Sequence, residues 1–168
     1  MTMNTLMMFY VAAVLVPLIV LILSIFLRRA PMFLYFFYMP FILLSIFIFS
    51  LGYLFEITAS SLETAMLATR VQYIGIPFIG PLLLLFILEF CGFRLKKRLI
   101  TSILIVPLIS LVLMQSYPVH HLFYQQVSLI SDDGLLSHLT VTGGVFYYIF
   151  YAYQYIMALV SLDRKSVV

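Results

Sequence analysis

Five long apolar runs take up most of the chain, roughly Leu6–Leu27, Pro31–Phe55, Ala65–Phe90, Leu99–Tyr117 and Val145–Leu162, with short polar breaks between them. A helical residue rises ~1.5 Å, so about 20 mostly apolar residues cross a hydrocarbon core of ~30 Å. The first run carries no charge at all. The pattern predicts an all-α fold, a polytopic membrane helix bundle with five transmembrane helices. Met1–Thr5 lacks the positive charge of a signal peptide, and no small-residue cleavage site closes the first run. It reads as a retained first helix, with a cleaved signal as the alternative.

Helix boundaries are marked by local chemistry. Ser60-Ser61-Leu62-Glu63 reads as a capping box, with Ser60 covering a free N–H and Glu63 reaching back, so the third helix is expected to open there. Asp132-Asp133-Gly134 is a turn signal inside the long polar segment Pro118–Gly144. Gly143-Gly144 precedes the fifth helix. That segment is too short for a domain and predicts a small hairpin or a pair of interfacial turns. Tyr10, Tyr53, Tyr117 and Tyr124 fall at depths suited to an aromatic belt.

Composition sharpens the class. Charged residues are 9% of the chain and mean hydropathy is +1.19, whereas soluble domains carry about 25% charge. The pI near 9.0 does not signal nucleic acid, because Arg28 and Arg29, and Arg94, Lys96, Lys97 and Arg98, cluster directly after apolar runs. No nucleic-acid partner is expected; the lipid bilayer is. Loops 28–31 and 93–98 are expected to be cytoplasmic, and the N-terminus, Glu56–Thr64 and Pro118–Gly144 to lie outside a cell membrane crossed several times. Cys91 is the only cysteine, so no internal disulfide can form.

The third run holds the most specific local pattern, Arg70-Val-Gln-Tyr-Ile-Gly-Ile-Pro-Phe-Ile-Gly-Pro81. Pro77 and Pro81 are one turn apart and free the carbonyls of Tyr73 and Pro77. Gly75 and Gly80 permit close approach by neighbouring helices. Two readings stay open: a packing kink, or a hinge that a ligand or a neighbouring helix could straighten.

Leu51-Gly-Tyr-Leu-Phe-Glu56, Leu62-Glu63, Gln72-Tyr-Ile-Gly-Ile-Pro-Phe78 and His120-His-Leu-Phe-Tyr124 together resemble the N-terminal seven-helix sensor region of bacterial histidine kinases. The same region precedes diguanylate cyclase output domains in related proteins. The resemblance runs from Pro31 to about Leu162. It implies an extracytoplasmic N-terminus, seven helices of which five are present here, a cytoplasmic output domain and a homodimeric full-length parent. The chain departs from it by lacking helices six and seven, a phosphoacceptor-histidine helix, ATP-binding glycine boxes and a Gly-Gly-Asp/Glu-Glu-Phe signature. Residues 1–162 are thus expected to be an incomplete sensor region. Asp163–Val168 back-translates to a string resembling a sequencing adapter, so 163–168 is expected to be a non-native tail; a natural short end is the alternative.

The candidate ligand-sensing residues are Glu56, Arg70, Gln72, Tyr73, His120 and His121, with Pro77 and Pro81 as the candidate hinge. Glu56 and Arg70 lie near the same ends of consecutive helices and could pair across the short loop, or stand apart in headgroups and water. Gln72 and Tyr73 could hydrogen-bond a small polar extracytoplasmic ligand, or the buried Gln72 amide could be satisfied by a neighbouring helix. Glu89 suits pairing with Arg94 or Lys96. His120-His121 could serve metal binding or pH sensing, and with His138 and Asp132 or Asp133 a metal site could be assembled. Adjacent residues rarely face one ion, however, and no compact spacing requires it, so no metal site is assigned. Tyr147, Tyr151, Gln154 and Tyr155 share one face of the fifth helix, which suits contacts with missing helices or a ligand pocket. No nucleophile elbow, phosphate-cradling loop, zinc-protease pair or intramembrane carboxylate pair is present. No cofactor and no catalysis by this chain are expected. The leading function is a sensory input module; a small permease or transporter fragment is the alternative, although no inverted counterpart to Pro77 and Pro81 is visible.

Overall fold

The computed structural model describes residues 3–27, 37–93, 95–132 and 136–163. Arg28, Arg29, Arg94, residues 31–36 at the start of the second apolar run, the Asp133-Gly134 part of the turn and tail residues 164–168 lie outside them. The order of elements is α1 (Met3–Leu27), α2 (Met39–Ile57), α3 (Leu62–Phe90), α4 (Lys97–Gln115), β1 (Tyr124–Asp132), β2 (Leu136–Gly143) and α5 (Val145–Asp163). All five helices are long and apolar enough to cross a membrane. The chain is a multi-pass membrane protein, all-α apart from one antiparallel hairpin.

The second helix opens at Met39, inside the predicted run. Pro40 sits in its first turn, where a missing N–H costs nothing because that group would be unbonded anyway. The third helix opens one residue later than the capping box predicts. Ser61 is the N-cap: its Oγ accepts the Thr64 N–H at 3.2 Å, and Thr64 Oγ1 accepts the Ser61 N–H at 3.2 Å. Thr64 thus does the work expected of Glu63, which remains in the first turn where its charge suits the helix dipole.

Helix α3 is the hub, packed against α2, α4 and α5, while α1 leans on α2 and leaves most of its surface exposed. The contact of α2 with α3 is backbone against backbone. A Cβ at Gly75 would stand 2.3 Å from the Ser45 carbonyl oxygen, and one at Gly52 would stand 2.7 Å from the Gln72 nitrogen. With no hydrophobic drive between helices in lipid, such close packing is what holds them together.

The segment after α4 forms the hairpin. From Val127 onward its side chains alternate, with Val127, Leu129, Leu139 and Val141 half-buried and Ser128, Ile130, His138 and Thr140 exposed. An irregularity between Tyr124 and Gln126 inserts one residue. That insertion lets Tyr124 and Val127 both face inward despite their odd spacing. The Gly144 N–H donates to the Phe123 carbonyl at 2.8 Å and the Phe146 N–H to the Leu122 carbonyl at 3.0 Å, tying the start of α5 to the start of β1.

Two core clusters result. One lies under the hairpin and joins Met66, Tyr73, Met114, Phe123, Tyr124 and Phe150, with Phe123 fully buried. Tyr124 therefore belongs to the core and not to the aromatic belt. The other lies toward the Lys96 end and joins Leu84, Leu85 and Ile103. Helices α3 and α5 run past both.

Candidate functional site

Glu56 occupies the last turn of α2, where the helix presents the negative end of its dipole. A carboxylate there needs outside compensation, and two neutral donors supply it. Gln72 Nε2 of α3 donates to Oε2. The Leu139 N–H, on the open edge of β2, donates to Oε1 at 3.3 Å. The Thr69 hydroxyl stands 3.4 Å from Oε2 and 3.0 Å from the Ala65 carbonyl, so its one proton serves mainly the latter. Gly52, one turn before Glu56, makes the close approach to Gln72 possible.

Glu56, Thr69 and Gln72 form the polar side of a cavity of about 110 Å³ beneath the hairpin. Tyr73, Tyr124, Tyr147 and Tyr151 form much of the rest, with Ile76, Leu139 and Val141. The Tyr124 hydroxyl donates to the Tyr73 hydroxyl at 3.1 Å. Burial raises the Tyr124 phenol well above its ordinary range, so it stays protonated as a donor. A larger groove of about 350 Å³ lies beyond the turn between α2 and α3, lined by Phe55, Thr58, Ser60 and Leu67 among others. It holds no ionisable side chain, so the polar chemistry belongs to the smaller cavity.

The structure brings together Glu56, Gln72 and Tyr73 of the predicted residues. Arg70 is elsewhere: its Nη2 donates to the Tyr117 carbonyl just past the end of α4, and its own carbonyl accepts from Gln115 Nε2 at 2.9 Å. The proposed Glu56–Arg70 pair fails on azimuth. Residues two apart on a helix point about 200° apart, so once Gln72 faces α2, Arg70 must face α4. There its charge suits a helix C-terminus. His120 Nε2 is 2.9 Å from Ser116 Oγ, and its Nδ1 is buried with no hydrogen-bond partner among the described residues. His121 and His138 are exposed on the surface. None of the three lines the cavity, and among the described residues no three His, Cys, Asp or Glu converge on a metal position. Glu89 Oε2 is buried with no hydrogen-bond partner among the described residues.

Thr69 and Tyr124 are site residues that the sequence reading missed. Tyr147 and Tyr151 turn inward to the cavity, whereas Tyr155, on the same predicted face, is exposed. The signal for Tyr124 is its place directly after Phe123 at the start of an alternating segment.

The prolines connect this end to the other. Pro77 and Pro81 are fully buried within one continuous α3. The Pro77 carbonyl, freed by Pro81, accepts from Gln154 Nε2 of α5 at 2.9 Å. Gly80 leaves the room, since a Cβ there would stand 2.4 Å from Gln154 Oε1. Pro107 in α4 repeats the device: it frees the Ile103 carbonyl, and the Tyr153 hydroxyl donates to it. Adjacent residues of α5 thus satisfy a proline-freed carbonyl in each of two neighbouring helices.

Fold and site together define a multi-pass helix bundle closed at one end by a hairpin over a carboxylate- and tyrosine-lined cavity. The chain belongs to the family described as the N-terminal 7TM region of histidine kinase, whose model matches residues 6–162. No curated protein and no solved structure matches the chain.

Proposed function

We propose that this chain is the sensory input module of a bacterial signal-transduction protein, a histidine kinase or a diguanylate cyclase, and has no catalytic activity itself. The observation that carries the reading is the family match over residues 6–162. The cavity gives it a place for input: a small extracytoplasmic ligand reaching Glu56, Gln72 and Tyr73 would touch α2, α3, the hairpin and α5 together. From there α3 and α5 run to the Lys96 end, linked midway by Gln154 and the Pro77 carbonyl. The output domain would be carried by a longer form of the polypeptide, acting as a homodimer, on the cytoplasmic side.

Two measurements test this. The purified chain should neither autophosphorylate with ATP nor make cyclic dinucleotide from GTP; turnover free of contaminants would overturn the non-catalytic assignment. In the full-length parent, Glu56→Ala should change output per molecule in the membrane, with or without loss of abundance. Unchanged output in both basal and stimulated cells would remove the cavity from the signalling path.

A further inference from the structure

We propose that the cavity under the hairpin receives a small organic cation, a primary amine or a quaternary ammonium ion, with the Glu56 carboxylate as its counter-charge and the tyrosines as its walls. The inference rests on the sensory reading above and names the class of ligand for the same site.

The first argument is charge. Among the described residues, Glu56 is the only carboxylate in the lining, and no Lys, Arg or His lines the cavity. The groups that hold the carboxylate are an amide and a backbone N–H, both neutral. They orient it without cancelling its charge. A carboxylate offers about four lone-pair sites, and among the described residues Oε1 accepts only from Leu139, so capacity remains for a ligand N–H. The C-terminal end of α2 adds further negative potential at the same place. An anion would meet both repulsions, and a neutral ligand would leave the charge unmatched in a setting where desolvated charge is costly.

The second argument is the wall. Ring centroids of Tyr73 and Tyr124 are 6.3 Å apart with planes at 88°, Tyr124 and Tyr147 are 5.8 Å apart at 50°, and Tyr147 and Tyr151 are 4.6 Å apart at 55°. The rings pack edge-on or tilted against one another, and all four line the cavity. Aromatic rings attract organic cations through their quadrupoles, most strongly where water is excluded.

The third argument is size. At about 110 Å³ the cavity is smaller than the ~150 Å³ space that accepts benzene, which suits a ligand of about five non-hydrogen atoms. A metal ion fits poorly, because among the described residues no group of metal-ligating side chains converges.

The test uses the purified full chain in detergent or nanodiscs at constant sodium chloride. It carries no Trp and twelve Tyr, four of them in the cavity lining, so a saturable change in tyrosine fluorescence reports binding, with the thermal midpoint as a second signal. Three probes of about five non-hydrogen atoms and one larger anion are titrated to roughly 10 mM, a range set by the limited affinity that so few atoms can give: tetramethylammonium, tert-butylammonium and tert-butanol, the size-matched set, and pivalate. At least one cation should bind saturably, and tert-butanol and pivalate at least about tenfold more weakly. Glu56→Gln should weaken cation binding by about tenfold or more. Should that variant not fold, Tyr147→Leu should weaken binding while Tyr147→Phe, which keeps the ring, should not. Equal binding of tert-butanol or pivalate would overturn the cation assignment and leave a ligand-sensing cavity standing. No saturable binding by either cation would overturn it too, whereas the sensory reading itself stands or falls on the output of the parent carrying Glu56→Ala.

Discussion

At the scale of single residues, the cavity is organised by one acid placed where its own helix disfavours it. Glu56 is held by donors from α3 and β2, so its removal should be felt in both. Glu56→Ala strands the Gln72 amide and the Leu139 N–H, and should cost about 1–3 kcal/mol of stability. Glu56→Gln keeps an acceptor oxygen and should cost less; equal losses in thermal or denaturant unfolding would mean that the charge, not the acceptor, holds the donors. The polar residues of this site were legible because they interrupt apolar runs, which is how Glu56, Gln72 and Tyr73 stand out in the sequence. Their pairing was not. Depth along a helix follows from counting, but facing depends on which neighbour each side of α3 meets, and that sent Arg70 to Tyr117 instead of Glu56. Tyr124 reads from sequence as an aromatic-belt residue because the irregularity beside Gln126 breaks the alternation that would have pointed it inward.

Among the elements, α5 has an unusual part. Its Tyr153 and Gln154 supply donors to carbonyls that Pro107 and Pro81 leave free in α4 and α3. The freed carbonyls could be read from the prolines alone, since each proline abolishes one defined backbone bond. Their partners could not, because Gln154 is distant in sequence and only the packing of α5 against Gly80 brings it in. Gln154→Leu should cost about 1 kcal/mol, the usual scale of an interhelical hydrogen bond in a membrane protein. Pro81→Ala returns an N–H for the Pro77 carbonyl, so in that background Gln154→Leu should cost measurably less. Additive losses in a double-mutant cycle would show that the Gln154 bond does not compensate for the proline. The same cycle bears on the hinge reading: if α5 senses the bend, the double variant of the full-length parent should shift basal output, while a pure packing kink should change only abundance.

On the scale of the whole molecule, the two ends of the bundle differ in kind. The hairpin end carries the cavity and no Lys or Arg from Val119 to Gly144, whereas the other end carries Lys96, Lys97 and Arg98. The alternation of helices puts the C-termini of α2 and α4, the hairpin and the N-termini of α3 and α5 at the first end. Charge bias in short loops sets orientation, so the hairpin end should face outward and the Lys96 end the cytoplasm. Single cysteines at exposed positions decide it: in a Cys91→Ser background, Ser128→Cys should react with a membrane-impermeant maleimide in intact cells, and Lys96→Cys only after permeabilisation. This prediction reaches further than topology. A ligand arriving from outside can enter the Glu56 cavity only if the hairpin lies on that side, and an output domain in the cytoplasm can be reached by α3 and α5 only if their far ends lie on the other. Labelling of Lys96→Cys but not Ser128→Cys in intact cells would reverse the bundle, place the cavity on the cytoplasmic face and leave any ligand there to come from inside the cell.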